Sequence, residues 1–442
     1  MRTRPTISWA DLRGRSVGVW GLGVEGRATL RRLSELGITP VLVDDRPPED
    51  GGGLDLPVLA TAEDGADALA RCDVVVKTPG ISRYRPEVQA LEGGGTPVVG
   101  GLGLWLAGAD RQRVVCVTGT KGKSTTTAVA GHLLGRLGHR VMVGGNLGLP
   151  PYDPDAPTDV DYWMVEVSSY QATDVATSPP VVAVTSLHPD HLPWHRDDPD
   201  TYYADKLSLC TQPGADLTVA NGDSPQLRDR RTQLGPRVEW VTADDAHGWT
   251  AGLGLLGVHN QRNALIARAC LVALGVEGAG DDSVIAEAAR GFEHLDSRLH
   301  PVGTVHGVLF VDDSLSTNVL PTLAAVDAFP GRRVAVIVGG QDRGIDYGPL
   351  AEELGNRQPP TLVAVTASEA APRIHAAFDA RPAGDRVKVV GCGSVAECTA
   401  ASFDWARPDG VVLLSPAAPS FDRFRDYRER AAAFVSAMHD CG

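Results

Sequence analysis

The sequence lacks long apolar segments and cysteine pairs at metal-ligand spacing. No run of about 18 apolar residues occurs, so we expect no membrane-spanning helix. The start, Met1-Arg-Thr-Arg-Pro5, has no apolar region of the kind found in signal peptides. The seven cysteines are spread singly, without a C-x-x-C, which predicts reduced thiols instead of disulfides or a zinc site. Together these absences predict a cytoplasmic protein.

Positive charge is also scarce. The chain has 41 lysines and arginines against 55 aspartates and glutamates, a formal net charge of −14. Nucleic acids and anionic membranes are polyanions, so this balance argues against both as nonspecific partners. If the protein binds an anionic substrate, it must therefore concentrate its positive charge locally.

Short β-branched runs alternate with helical patterns along the chain, which is typical of an α/β fold with doubly wound, mostly parallel sheets. At roughly 100–200 residues per domain, the length predicts two to four domains, with three as the central expectation. We place these domains at residues 1–108, 109–297 and 298–442. The predicted strands are Ser16–Trp20, Val41–Asp44, Val74–Lys77, Val114–Thr118, Tyr162–Val167, Val181–Thr185, Leu217–Ala220, Val308–Val311, Val334–Val338, Thr361–Val365, Val387–Val390 and Val411–Leu414.

The segment Thr118–Thr125, Thr-Gly-Thr-Lys-Gly-Lys-Ser-Thr, lies between a predicted strand and a helix expected to begin near Ser124. Glycines allow backbone N–H groups to close around phosphate oxygens, and a helix N-terminus adds positive potential. Lys123 would reach the outer phosphates, and the Ser124 hydroxyl would ligate Mg²⁺. Val117 stands where the usual pattern has its first glycine, so a simple glycine-rich turn is the alternative. The segment predicts an ATP site.

Two further segments that leave predicted strands contain candidate metal ligands. Glu166 begins Glu-Val-Ser-Ser-Tyr-Gln171, and a carboxylate at the carboxyl end of a strand is well placed to hold Mg²⁺. A structural glutamate is the alternative. Ser186–His195 is dense in histidine, which suggests a metal or phosphoryl site, and we favour His191 as the functional one. Lys206, taken alone, looks like a surface lysine on a helix.

Three polar segments follow predicted strands in the last third of the chain: Asp312–Asn318, Gly339–Gly344 and Ser415–Phe424. The carboxyl ends of parallel strands lie at one edge of a sheet, so we expect these segments to meet at a ligand-binding crevice. His259–Asn263 begins a predicted helix and carries two amides that could hold a nucleobase or ribose. Helix capping is the alternative.

Near the N-terminus, Gly21-x-Gly23-x-x-Gly26 is followed about 20 residues later by Asp44, as in dinucleotide-binding sites. The same backbone cradle would equally hold the diphosphate of a UDP-sugar. From these residues alone both hypotheses stay open.

In this order, the motifs resemble those of the Mur ligase family over nearly the whole chain. The motifs are the ATP loop, Gly145–Gly148, Glu166–Gln171, Asp190-His-Leu, Lys206, His259-Asn-x-x-Asn, Arg298, Asp313–Asn318 and Ser415–Asp422. The resemblance implies an N-terminal UDP-binding Rossmann-like domain, a central ATPase domain and a C-terminal Rossmann-like domain for the amino acid. The short N-terminal domain with Thr78-Pro-Gly-Ile81 looks like the glutamate-adding branch.

Three positions depart from the D-glutamate-adding enzymes, which usually have Asn, Lys and Lys where Lys121, Leu315 and Arg343 stand. Val75–Ser82, the ATP loop and Asp205-Lys-Leu-Ser-Leu209 more closely resemble a smaller branch that adds L-glutamate. In that branch a separate epimerase acts downstream. The same reaction with D-glutamate stays open as the alternative.

The resemblance implies ATP-dependent ligation of glutamate to UDP-N-acetylmuramoyl-L-alanine by a monomer, with two Mg²⁺ ions and a carbamylated Lys206. It assigns catalysis to Lys123, His191 and Lys206, and the metal ions to Ser124, Glu166, His191 and Lys206. It assigns ATP to Gly119, Thr120, Lys121, Gly122, Lys123, Ser124, Thr125, Asn260, Arg298 and Asp313. It assigns the other substrates to Gly21, Gly23, Asp44, Asn146, Thr317, Arg343, Ser420 and Tyr427.

Three other functions compete with this interpretation. A folylpolyglutamate synthase would not need the glycine motif ahead of the ATP loop. An NAD-dependent dehydrogenase would not need the ATP loop. A regulatory P-loop module would release no phosphate with a UDP-muramoyl substrate.

Overall fold

The computed structural model describes residues 4–49, 51–146, 148–245, 248–381 and 387–442. Within these segments, seventeen strands form three sheets of five, six and six strands. All the strands predicted from the sequence are present, some with ends shifted by one or two residues. The five that were missed are Val58–Ala60, Val98–Gly100, Val141–Gly145, Arg237–Val241 and His300–Val305.

The first sheet is parallel throughout, with the strand order β3-β2-β1-β4-β5. β2 lies on one side of β1 and β4 lies on the other, so the order of the strands changes direction at β1. The loops after β1 and β4 flank this point. Its strands are β1 Val17–Trp20, β2 Val41–Asp44, β3 Val58–Ala60, β4 Val74–Lys77 and β5 Val98–Gly100. Its helices are α1 Val24–Glu35, α2 Ala66–Ala70, α3 Pro86–Gly93 and α4 Gly101–Gly108.

The second sheet is also parallel, with the order β11-β10-β9-β6-β8-β7. Its central strand β6 is buried at every residue, as expected for an apolar run covered on both faces. Its strands are β6 Val114–Thr118, β7 Val141–Gly145, β8 Tyr162–Glu166, β9 Val181–Val184, β10 Leu217–Asn221 and β11 Arg237–Val241. The helices are α5 Lys123–Arg136, α6 Ser169–Ala172, α7 Pro199–Leu207, α8 Pro225–Asp229, α9 Val258–Ala273 and α10 Asp282–Ala288.

The third sheet has the order β12-β13-β17-β14-β15-β16, with β12 antiparallel to β13 and the other pairs parallel. The last strand, β17, lies between β13 and β14. Its strands are β12 His300–Val305, β13 Val308–Asp312, β14 Val334–Val338, β15 Thr361–Thr366, β16 Lys388–Cys392 and β17 Val411–Leu414. The helices are α11 Val319–Asp327, α12 Gly348–Asn356, α13 Ala371–Asp379, α14 Val395–Ala406 and α15 Tyr427–His439.

The chain forms two compact units. One extends to Gly254 and includes Gln261–Phe292, and the other comprises Leu255–Asn260 and Glu293–Gly442. The first unit contains two sheets and the second contains one. Because this division into two units does not test the three predicted domains, their boundaries at residues 108 and 297 remain predictions. None of the seven cysteines forms a disulfide in the described part of the chain. Among the described residues, no helix is both long and apolar enough to span a bilayer.

Glu25, in the first turn of α1, joins the first sheet to segments that flank the second sheet in the same unit. The Tyr152 hydroxyl donates to Glu25 Oε2 at 3.0 Å, and Gln171 Nε2 donates to Oε1 at 2.7 Å. Burial raises the pKa of this carboxyl from 4.5 to about 7, against the opposing effect of the two hydrogen bonds. The folded protein therefore binds this proton more tightly than the unfolded chain does.

We predict that Glu25→Gln makes thermal stability less dependent on pH. Since the folded-state pKa is raised, the contribution of protonated Glu25 is complete below about pH 4.5 and is lost as the pH rises through about 7. Melting temperatures of wild type and variant, measured from pH 5 to 8.5, should show the wild type losing more stability towards high pH. Parallel pH profiles would contradict this.

Candidate active site

The predicted ATP loop connects β6 to α5, which begins at Lys123, one residue earlier than expected. Gly122 has φ +91°, and a Cβ there would lie 2.5 Å from Asn263 Oδ1. A side chain at this position would therefore both strain the backbone and collide with the asparagine. Asn263, placed against the loop by α9, is a residue whose position the sequence did not predict.

Two of the loop's amides are used within the protein. Thr120 N donates to Ser186 O at 2.9 Å, and Lys121 N donates to Ser186 Oγ at 2.8 Å. Thr185 Oγ1 donates to Lys121 O at 2.6 Å, so the segment after β9 holds the loop on both sides. The first turn of a helix has no internal acceptors for its N–H groups, so the start of α5 is suited to bind phosphate.

Three lysine side chains, those of Lys121, Lys123 and Lys206, lie around this loop. Lys206, from α7, is 2% exposed, and its Nζ donates to Gly119 O at 3.0 Å. Burial lowers the pKa of the Lys206 ammonium well below its usual value, and the charge of Lys123 lowers it further. Lys121 Nζ lies 3.3 Å from Asp190 Oδ2. Local positive charge in this acidic protein therefore comes from Lys121 and Lys123, whereas burial disfavours the charged form of Lys206.

Glu166 is the last residue of β8 and pairs in register with Val117 of β6, directly before the loop. Its Oε1 accepts a hydrogen bond from Asn146 Nδ2 at 2.6 Å. Its Oε2 is buried and has no hydrogen-bond partner among the described residues. Because an unpaired buried carboxylate oxygen is costly, and is the atom type that Mg²⁺ prefers, Glu166 fits the role of a metal ligand.

His191 has a half-exposed side chain and a left-handed backbone, with φ +52°. Partial burial lowers the pKa of its imidazole, against the raising effect of Asp190, whose Oδ1 lies 3.8 Å from Nδ1. This favours the neutral form, which binds metal ions. In the described part of the chain, no group of three His, Cys, Asp or Glu side chains is arranged to hold a metal. A Mg²⁺ site here therefore needs hydroxyl, phosphate or carbamate ligands as well.

The nearby His195 has a different environment that the sequence did not reveal. Its imidazole is fully buried, with Nδ1 2.7 Å from Asp205 Oδ2 and Nε2 3.1 Å from Ser169 Oγ. The Tyr84 hydroxyl donates to the other Asp205 oxygen at 2.8 Å. This network connects α6, which follows Glu166, to the helix that carries Lys206. Local sequence gives no signal that separates His195 from His191, because burial is a tertiary property.

The glycine motif of the first sheet forms the loop between β1 and α1. Gly21 has φ +95°, and a Cβ there would lie 2.1 Å from Thr78 Oγ1 in the loop after β4. Asp44 ends β2, where its carboxylate accepts from Leu22 N at 2.7 Å and from Arg46 N at 2.9 Å. Gly23 is the residue before α1, and a Cβ there would meet no atom of the described residues within 4 Å. The open space leaves room for a ligand at the helix N-terminus.

In the second unit, the three polar loops follow β13, β17 and β14, which are neighbours in the sheet, so the loops lie side by side as predicted. Thr317 is half-buried just before α11, and Ser420 is buried in the loop after β17. Arg343 is exposed, and its Nε donates to Gln341 Oε1 at 3.3 Å. Tyr427 is the first residue of α15.

The predicted nucleotide residues of this unit also make internal contacts. Asn260 Nδ2 donates to Leu256 O at 2.9 Å near the start of α9. Asp313 accepts from Leu299 N at 3.1 Å, Ser316 Oγ at 2.5 Å and Ser415 Oγ at 2.7 Å. Burial raises the pKa of Asp313 to about 7, and nearby Arg298 acts in the opposite direction. The Asp313 carboxylate therefore joins the β13 and β17 loops.

Comparisons of the whole chain with known proteins show which proteins it is similar to. The family model of the Mur ligase middle domain matches residues 117–252, and that of the Mur ligase glutamate ligase domain matches residues 297–418. Two relatives, from Micromonospora sp. and Salinispora tropica, are each 38% identical and named UDP-N-acetylmuramoyl-L-alanine–L-glutamate ligase. The alignments cover 98% of this chain and 98% and 99% of the relatives.

A solved structure shows the same fold. The MurF ligase of Thermotoga maritima in complex with ADP matches with a TM-score of 0.58 at 17% identity, over 100% of this chain and 99% of that chain. None of these similarities supports the NAD-dependent dehydrogenase that the glycine motif left open.

We predict that Lys123→Ala lowers ATP-dependent phosphate release on the order of 10²-fold or more, because a cation next to transferring charge is lost. The melting temperature should change little, since Lys123 is only partly buried at the start of α5. The measurement is steady-state phosphate release beside a thermal melt. Turnover within a few-fold of wild type would exclude Lys123 from the chemistry.

Proposed function

The chain belongs to the Mur ligase family of ATP-dependent ligases, and on this premise we propose that it joins L-glutamate to UDP-N-acetylmuramoyl-L-alanine during peptidoglycan precursor synthesis. The observation that carries the proposal is the cluster around the ATP loop, where Lys206 and the unpaired oxygen of Glu166 are buried. The names of relatives 38% identical over nearly the whole chain support the substrates.

The reaction we propose begins with activation of the alanyl carboxylate. A carboxylate oxygen attacks the γ-phosphorus of ATP, the bond to the β-phosphate oxygen breaks, and ADP and an acyl phosphate result. The loop amides at the start of α5 and the Lys123 ammonium stabilise the charge on the transferring group. The glutamate amine then attacks the acyl carbon, phosphate leaves, and the nitrogen loses its proton as the amide forms.

We further propose that Ser124, Glu166, His191 and Lys206 hold two Mg²⁺ ions, which would neutralise phosphate charge when bound. A free ammonium at Lys206 would repel a cation, whereas a carbamate is an anionic oxygen ligand. The buried Lys206 amine has a lowered pKa, which favours the neutral form that carbamylation requires. In that step the Nζ lone pair attacks the carbon of CO₂, and Nζ then loses a proton.

For the remaining substrates, the proposal follows the family motifs. Asn260, Arg298 and Asp313 place the nucleotide, and Gly21, Gly23 and Asp44 hold the UDP group. Asn146, which contacts Glu166, serves the phosphoryl region, and Thr317, Arg343, Ser420 and Tyr427 bind glutamate. The planar Arg343 guanidinium suits a carboxylate. We also propose a cytoplasmic monomer whose product is used by a separate epimerase.

We predict that kcat/KM for L-glutamate exceeds that for D-glutamate by roughly 100-fold or more. The enantiomers have the same groups, so only the directions of the amine and the two carboxylates distinguish them. Arg343 provides a fixed pair of donors, and Leu315 removes a cation present in D-specific enzymes. The measurement is phosphate release at saturating ATP and UDP-N-acetylmuramoyl-L-alanine with each enantiomer.

Arg343→Lys provides the matched variant, since it keeps the charge and removes the two-donor geometry. We expect it to reduce the preference for L-glutamate. A clear wild-type preference for D-glutamate would refute the stereochemical claim but keep the ligase assignment. No phosphate release with either enantiomer would refute the proposed substrates.

We predict that Lys206→Ala is nearly inactive and is partly restored by added acetate or formate, which would replace the carbamate as an oxygen ligand. Lys121→Ala, which removes a lysine of the same cluster that pairs with Asp190, should show no such rescue. The measurement is phosphate release with increasing carboxylate at constant ionic strength. Full activity of Lys206→Ala, or equal rescue of both variants, would contradict carbamylation.

A further inference from the structure

The three loops that we assign to glutamate come from strands far apart in sequence. Thr317 follows β13, Arg343 follows β14, and Ser420 follows β17. Hydrogen bonds between strands fix the strand ends. A loop that extends beyond the last of these bonds needs other contacts to hold its position. Glutamate recognition depends on the relative positions of these loops, because displacing a binding group by about 1 Å can cost 10²-fold in rate.

One side chain, Arg430 of α15, donates hydrogen bonds to all three loops. Its Nη2 donates to Ser314 O at 2.8 Å in the β13 loop. Its Nη1 donates to Ala418 O at 3.1 Å in the β17 loop and to Gly339 O at 3.4 Å directly after β14. A planar guanidinium can donate in several fixed directions at once, whereas an ammonium on a flexible stem cannot.

Burying the Arg430 side chain costs free energy, and a role in stability alone would not explain that cost. The residue is 3% exposed, and burial lowers the pKa of its guanidinium to about 10, so it stays charged at neutral pH. Its Nε is buried without a hydrogen-bond partner among the described residues. It lines a cavity of about 230 Å³ at the carboxyl edge of the sheet, together with Ser368, whose Oγ is also unpaired there. Keeping a partly unsatisfied buried cation indicates a requirement beyond packing.

From this geometry we propose that Arg430 is a positioning residue for glutamate: its three hydrogen bonds hold the β13, β14 and β17 loops in the arrangement that recognises the amino acid and its enantiomer. The inference rests on the proposed function and deepens it. Arg430 itself bonds main-chain carbonyls and is not assigned any contact with substrate. Its loss should therefore affect glutamate more than UDP-N-acetylmuramoyl-L-alanine, whose proposed residues lie outside these loops.

The chain contains a matched control in Arg357, at the end of α12. This arginine also donates to three main-chain carbonyls: Phe329 O at 2.7 Å, Arg332 O at 3.1 Å and Pro359 O at 3.3 Å. These acceptors precede β14 and β15, at the amino edge of the same sheet. Arg357 thus has the same kind of bonding in the same unit without involving the glutamate loops.

The experiment compares Arg430→Lys and Arg430→Met with Arg357→Lys in the full-length chain. ATP, UDP-N-acetylmuramoyl-L-alanine and glutamate are varied in turn, each enantiomer is tested, and melting temperatures are recorded. For both Arg430 variants we expect KM for L-glutamate to rise about ten-fold or more and the L-to-D ratio of kcat/KM to fall. KM for UDP-N-acetylmuramoyl-L-alanine should stay within about two-fold, whereas ATP, which Asp313 of the β13 loop is proposed to help place, is not expected to be a neutral control. Arg357→Lys should lower the melting temperature and leave all three KM values and the enantiomer ratio near wild type.

The proposal is overturned if Arg430→Lys keeps KM for glutamate and the enantiomer ratio within two-fold of wild type, or if Arg357→Lys changes them as much. A failure of Arg430→Lys to fold would also overturn it, since the arginine would then serve the fold and not the loops. If the wild type itself releases no phosphate with glutamate, the proposed function fails instead, independently of Arg430.

Discussion

Parallel strands all end at the same edge of a sheet, and nearly every candidate functional residue of this chain depends on that constraint. The ATP loop, Glu166 and the segment at Ser186 follow β6, β8 and β9, which are neighbours in the second sheet. The three loops that we propose to bind glutamate follow β13, β17 and β14, which are neighbours in the third. Backbone hydrogen bonding between strands thus gathers residues that are tens to hundreds of positions apart in the sequence.

At the edge of the second sheet, the candidate site contains buried ionisable groups. Removing Lys206 and Glu166 from water is unfavourable, and neither is fully compensated by a partner charge in direct contact within the described residues. The Lys206 amine donates to a loop carbonyl, and one Glu166 oxygen has no hydrogen-bond partner in the described part of the chain. If the proposed nucleotide and Mg²⁺ bind here, they would pair with these groups, and binding would then be coupled to the stability of the loop.

Most of the fold could be predicted because central strands have continuous apolar runs. The missed strands β3, β5, β7, β11 and β12 share one property: each lies at the edge of its sheet. An edge strand is covered on fewer sides, so it needs no unbroken apolar run, and β11 alternates between exposed and partly buried residues. The antiparallel direction of β12 also had no local signal.

The motifs of the candidate site were visible in the sequence because phosphate and metal chemistry demands particular residue types at short spacing. The glycine next to Lys123 and Ser124 predicts a phosphate-binding loop from local sequence alone. A carboxylate at the end of a strand likewise predicts a metal ligand. The parts that could not be predicted join distant segments: Asn263 against Gly122, Ser186 on the ATP loop, and His195 between Ser169 and Asp205.

The sequence by itself therefore determined the family and the α/β class, and it predicted the ATP loop and candidate residues for its chemistry, because all of these depend on local spacing and composition. Only the tertiary structure decided which histidine is buried, which carboxylate oxygen of Glu166 is free, and which arginine connects the loops of the third sheet. Arg430 shows the reason clearly, since its partners Ser314, Gly339 and Ala418 lie 116, 91 and 12 residues away along the chain. Burial and hydrogen bonding between distant segments exist only after the sheets have formed.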